Sequence, residues 1–132
     1  MIARAQNRCE YCLSRADFAT ETFVIDHVCP LSLGGSNELE NLALACSGCN
    51  GRKYNKLEDF DPITGQLAPI FNPRQQTWRD HFAWNENFTL VIGLTAIGRA
   101  TLNALDMNRK GIINIRIALY TIGKHPPHLA VD

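Results

Sequence analysis

The chain has 132 residues, 45% of them hydrophobic and 20% charged, with 13 Lys and Arg balancing 13 Asp and Glu. That length suits one ordinary globular domain, or a small metal-stabilised module with an extension. No run of about 18 apolar residues occurs, which excludes a membrane-spanning helix, and zero net charge removes the simplest argument for a nucleic-acid partner, a strongly basic surface.

In chain order, Ala3 to Arg8 has modest helical character and leads into Cys9-Glu10-Tyr11-Cys12. The run from Thr20 to His27 is β-branched and aromatic, so it reads as a strand delivering Asp26 and His27 at its end, with Pro30 stopping it. Gly34-Gly35-Ser36-Asn37 reads as a turn, and Asn41 to Ala45 as the returning strand of a hairpin. Ser47 is suited to cap a helix running to about Lys56, which would put Asn50 and Lys53 one turn apart on one face. The order is strand, loop, strand, helix, and it lets His27 and Asn50 face each other across a cleft.

Beyond residue 57, Asp61-Pro62-Ile63-Thr64-Gly65 reads as a turn and Phe71-Asn72-Pro73-Arg74 as an extended connector. Trp78 to Trp84 and Thr89 to Leu94 suggest a second small hairpin. Thr95 caps a helix from Ala96 to Leu105, and Ile112 to Ile122 reads as another, although Ile113, Ile115 and Ile117 alternate as a strand would.

Five cysteines decide the scaffold. Cys9/Cys12 and Cys46/Cys49 have CxxC spacing, whereas Cys29 stands apart as a small buried residue. Two such turns supply the four thiolates of a closed tetrahedral Zn²⁺ site. Disulfides are the alternative, but an odd cysteine count and the lack of a signal-peptide core favour a reducing, cytoplasmic setting. The 33 residues between Cys12 and Cys46 exceed the usual ribbon interval of roughly 15–20, so something is inserted. The insertion holds Asp26, His27 and Asn41. Arg52, Lys53 and Lys56 follow the second cysteine pair and would form a local basic face, or simply a solvated one.

Asp26-His27, Pro30, Gly34-Gly35, Asn41-Leu42, Cys46-Ser47-Gly48-Cys49-Asn50 and Lys53 occur in the order found in HNH endonucleases, and residues 8–56 resemble the type with a four-cysteine zinc site. The resemblance implies a ββα-metal finger with paired CxxC knuckles, assigned to residues 1–58; together with the elements read beyond it, a small hairpin-and-helix extension over residues 59–132 packed on it as a single unit, the fold class is α+β. It implies a DNA endonuclease in which His27 is the general base, Asp26 and Asn50 hold one catalytic Mg²⁺ or Mn²⁺, and Asn41 braces the loop and orients His27. Cys9, Cys12, Cys46 and Cys49 would hold structural Zn²⁺, and Lys53 and Arg52 would contact phosphate. The C-terminal NPR…W…HF…W segment resembles that of other bacterial HNH proteins. It completes a small core, docks DNA through Arg74, Arg79, Arg99 and Arg109, or pairs two copies, so monomer and homodimer both stay open.

The residue types suit that chemistry on their own terms. Imidazole exchanges a proton near neutral pH, and a neutral oxygen donor beside a carboxylate favours a hard divalent ion. Two other classes compete: a non-catalytic zinc module that binds nucleic acid, and an interaction scaffold in which zinc only stabilises the fold. Neither needs Asp26, His27 and Asn50 together.

Overall fold

The computed structural model describes residues 4–127, and it is a mixed α/β structure. Strand β1 (Val24–His27) pairs antiparallel with β2 (Leu42–Ala45), with Asp26 opposite Ala43 and His27 opposite Leu42. β2 feeds directly into helix α1 (Ser47–Lys53). The small side chains of Ala43 and Ala45 are fully buried, so other elements approach the sheet closely at this point. The first cysteine pair is laced to β2 through Glu10, whose N–H donates to Leu44 O at 2.9 Å while its Oε2 accepts from Leu44 N at 2.8 Å.

The 14-residue connection between β1 and β2 is held by Asn41. Its Oδ1 accepts from Cys29 N at 2.8 Å, and its Nδ2 donates to Cys29 O and Ser36 O at 3.0 and 2.7 Å. The double glycine is required by the same fold of the chain. Gly34 sits in the left-handed region at φ 92°, and a Cβ on Gly35 would lie 1.8 Å from Cys29 O. This brace fixes the loop that follows His27.

Residues 58–69 form a hairpin, β3 (Glu58–Phe60) and β4 (Leu67–Pro69), around the turn expected at Asp61–Gly65. A single helical turn, α2 (Trp78–His81), precedes the hairpin of β5 (Phe82–Trp84) and β6 (Val91–Gly93). Helix α3 (Ala96–Leu105) is capped as its sequence suggests, Thr95 Oγ1 accepting from Gly98 N at 3.1 Å, and α4 (Lys110–Thr121) closes the described chain. The alternating isoleucines of α4 therefore belong to a helix.

One buried cluster joins the two halves of the sequence. It includes Cys9, Tyr11, Cys12, Ala43 and Cys49 from the first half with Phe71, Trp78, Phe82, Leu105 and Met107 from the second. Trp78 Nε1 donates to Tyr11 O at 2.8 Å, so a buried tryptophan of the extension satisfies its polar group on the first cysteine turn. Glu10 and Arg74 form a second, ionic link.

Three expectations need correction. The residues from Arg4 to Arg8 form turns rather than a helix, since Arg8 N donates to Ala5 O, Asn7 O accepts from Ala16 N, and the segment visits positive φ at Gln6 and Asn7. The α1 cap is Cys46, not Ser47, because the Cys46 sulfur takes the Cys49 N–H. The helix also stops at Lys53, short of Lys56, where Tyr54 leaves helical geometry with φ 45° and ψ −112°.

Candidate active site and metal centre

The four cysteines build a candidate metal centre from two matching turns. Cys12 N donates to Cys9 Sγ at 3.5 Å and Cys49 N to Cys46 Sγ at 3.4 Å, so each CxxC turn is closed by the same N–H to sulfur bond. All four sulfur atoms lie within 4.8 Å of one another, and Cys12 and Cys46 are 3.7 Å apart. A tetrahedral Zn²⁺ with Zn–S near 2.3 Å requires sulfur separations of about 3.8 Å, so the donor set fits the ion. Burial pushes the Cys9 thiol up, and a divalent ion reverses that preference by binding thiolates.

Arg109, at the entry to α4, caps this centre. Its Nη2 lies 3.5 Å from Cys46 Sγ and 4.0 Å from Cys49 Sγ, with Nη1 3.9 Å from Cys49 Sγ. Burial alone would lower its pKa, but the charges of Cys49, Cys12 and Cys46 outweigh that and hold it above its ordinary value. Gly48 makes the approach possible, since a Cβ there would stand 2.5 Å from Arg109 Nη2.

Around the end of β1, neighbouring residues point to opposite faces. Asp26 turns inward with 4% exposure, and its Oδ2 accepts from Tyr11 O–H at 2.6 Å. Lys53 approaches it from α1, with Nζ 3.2 Å from Oδ2 and 3.4 Å from Oδ1. His27 is half-buried, and its Nε2 lies 2.8 Å from Asn37 Oδ1. An amide oxygen only accepts, so Nε2 carries the proton in that bond and Nδ1 is the free basic nitrogen.

Asp26, His27 and Asn50 line one cleft of about 410 Å³, with Tyr54 and Asn55 at its α1 end and Leu31 and Ser32 on the loop. The Asn50 side chain makes no hydrogen bond to any described residue. Among the described residues, Asp26 Oδ1 has only its long Lys53 contact. These two oxygens suit a hard ion that keeps several waters. A roomier cavity of about 600 Å³ lies between the Leu13–Phe23 segment and α4, and none of Asp26, His27 or Asn50 reaches it.

Lys53 departs from the expectation of a phosphate contact. It is 1% exposed, and its ammonium donates to Asp26, to His27 O at 3.1 Å and to Val28 O at 3.1 Å. Three donors meet three acceptors, which leaves none for substrate. Arg52 is exposed on α1, and among the described residues its side chain bonds only to Gly48 O at 3.2 Å. Among the arginines weighed for DNA docking, Arg74 is engaged internally by Glu10, Arg99 by Asp61 and Arg109 by the cysteines.

Asn41 spends its side chain on Cys29 and Ser36, so the brace on the loop is its direct action and the contact with the imidazole belongs to Asn37. Sequence reasoning read Asn37 as a turn residue. Tyr11 was equally hidden, because only the packing of the first cysteine turn against β1 brings its hydroxyl to Asp26.

Residues 9–56 match the HNH endonuclease family model. The HNH match thus covers both cysteine pairs, β1, β2, α1 and all the residues that gather at the cleft. Comparison with curated proteins and with solved structures returned no match. HNH nucleases act on nucleic acids, which makes nuclease activity the class this segment suggests. No helix among the described residues is long and apolar enough to cross a membrane.

Proposed function

We propose that this HNH chain is a metal-dependent DNA endonuclease that hydrolyses phosphodiester bonds with His27 as general base, in a ββα-metal finger made of β1, β2 and α1. The observation that carries the reading is the convergence of His27, Asp26 and the unpartnered Asn50 on one cleft. A zinc module that merely bound nucleic acid, or a scaffold, would have no use for a basic imidazole nitrogen beside a free amide oxygen and a carboxylate.

His27 accepts the proton of the attacking water at Nδ1, while Asn37 holds Nε2–H and thereby fixes the tautomer. The new P–O bond forms as the bond to the 3′ oxygen breaks, and that oxygen takes a proton from solvent while His27 returns its own to solvent, leaving a 5′-phosphate and a 3′-hydroxyl. Asp26 and Asn50 would hold one Mg²⁺ or Mn²⁺, which when bound neutralises charge developing on the phosphate and the leaving oxygen. Asn41 keeps the loop beyond His27 in place. Tyr11 and Lys53 orient Asp26 and neutralise it in its buried setting. Arg52 contacts substrate phosphate. Cys9, Cys12, Cys46 and Cys49 hold structural Zn²⁺, and the described part of the extension, residues 59–127, packs on the finger as part of one unit.

The deciding experiment is nicking of supercoiled plasmid by wild type and His27→Ala, with Mg²⁺, Mn²⁺ or excess EDTA, after circular dichroism has shown both folded. Metal-dependent open circle or linear product from wild type, lost in the variant, is the expected result. Cleavage that survives in His27→Ala would remove the histidine from the mechanism.

A further inference from the structure

Tyr54 stands at the lip of the cleft with a backbone that side chains avoid. Its φ of 45° and ψ of −112° belong to the second position of a mirror-image tight turn, closed here by Lys56 N donating to Lys53 O at 2.8 Å. Glycine is the residue that takes this conformation without strain. A tyrosine there carries a conformational cost, and its side chain recovers nothing by packing, since it is 75% exposed. Strain held at a cleft without a structural return points to a task for the ring.

The surroundings identify the task. Tyr54 directly follows the last residue of α1, and it lines the cleft together with Asn50, Asp26 and His27. Nothing lies within 4 Å of where a Cβ on Gly51 would stand, so this wall is open. Cationic support is thin: Lys53 is buried, and Lys56 is 3.5 Å from Asp59, which leaves Arg52 as the exposed cation of α1. With a net charge of zero, phosphate attraction alone is a weak source of affinity. A flat, amphipathic ring beside a phosphate-sized cleft is suited to cover the face of a nucleobase.

We propose that Tyr54 stacks on an unpaired nucleobase flanking the scissile phosphate, so that the preferred substrate is DNA whose nucleotides are unpaired at the cleavage site. The inference rests on the nuclease reading above. Within a duplex both faces of each base are already covered by neighbours, and a ring at a lip reaches a base face only where that stack is open. The turn aims the ring, and Asn50 and His27 address the adjoining phosphate.

The test uses the zinc-loaded full chain carrying His27→Ala, with binding followed by fluorescence anisotropy on a single strand, a bubble and a duplex of one sequence. Adding Tyr54→Ala is expected to weaken single-strand and bubble binding by roughly 5- to 100-fold and duplex binding by less than about twofold, with Tyr54→Trp restoring the loss. Tyr54→Gly relieves the strain and guards against misfolding: it should be at least as stable as the parent and bind single strands as poorly as Tyr54→Ala. Equal losses on all three probes, no loss on any, or no binding to any probe overturns the proposal. Cleavage by the chain with His27 intact separates the two readings. Tyr54-dependent binding without cleavage by that protein removes the nuclease and keeps the stacking, whereas metal-dependent cleavage indifferent to Tyr54 does the reverse.

Discussion

Arg109 reaches from the entry of α4 to the second cysteine turn, its Nη2 3.5 Å from Cys46 Sγ. A four-thiolate zinc centre carries a net negative charge, and a guanidinium donating to its sulfurs offsets part of it. Arg109→Gln should therefore release zinc to a colorimetric chelator roughly 10-fold faster than wild type, in line with the effect of removing outer partners of metal ligands. Gly48→Ala should act in the same direction, because the added methyl would occupy the space of Nη2. Release rates equal to wild type in both variants would show that the guanidinium does not act on the thiolates.

The buried pair of Lys53 and Asp26 makes a second prediction. The two side chains are 1% and 5% exposed, and removing one partner of such a pair leaves the other charged and uncompensated. Lys53→Met should cost about 3–5 kcal/mol in urea unfolding at neutral pH. Arg52→Ala, on the exposed face of the same helix, should cost less than about 0.5 kcal/mol while weakening DNA binding in a salt-dependent way. The opposite pattern, with Lys53→Met stable and deficient only in binding, would restore Lys53 to the substrate face.

How far the site could be read before folding depended on what each residue's partner was. The cysteine pairs were legible because CxxC spacing alone makes each turn, and the strand, loop, strand, helix order followed from Pro30, the double glycine and β-branched runs. Asn37 was not legible as a partner of His27, because their separation of ten residues carries no period and the contact exists only once Asn41 has closed the loop. The fate of Lys53 was misread for a related reason. A lysine one turn from Asn50 looks like a surface charge in sequence, whereas the helix packs that face onto the end of β1 and meets Asp26 there. The β3 and β4 strands were missed because three-residue strands give too short a pattern for alternation to register.

Asn37 is expected to affect rate more than stability. Its one structural contribution at the site is the hydrogen bond to His27 Nε2, and the side chain is exposed. Asn37→Ala should lower single-turnover cleavage by roughly 10- to 100-fold, since a general base held in the wrong tautomer or orientation forfeits part of its effect. Its melting temperature should stay close to that of wild type. Asn37→Asp, which keeps an acceptor at the same place, should retain more of the rate than Asn37→Ala. Equal rates for wild type and Asn37→Ala would mean that the ring is oriented by something else.

Asp61 ties the β3–β4 turn to α3 and gives the fold a defined response to acid. Its carboxylate accepts from Arg99 Nε and Nη2 at 2.9 and 3.0 Å, from Ile63 N at 3.0 Å and from Thr64 Oγ1 at 3.0 Å. The Arg99 guanidinium, helped by the Ile63 N–H and the Thr64 hydroxyl against the opposing effect of burial, holds this carboxyl well below the usual carboxylate range. A carboxyl with a depressed folded pKa stabilises the protein fully above its unfolded value of about 3.9 and loses that contribution as pH falls toward the folded value. The gap in melting temperature between wild type and Asp61→Asn should therefore be constant from pH 8 to pH 5 and narrow only below about pH 4. Loss of zinc at low pH lowers both proteins together, so the difference between them is the quantity to follow. A gap that already closes between pH 7 and pH 5 would show that the Arg99 contact does not hold Asp61 ionised.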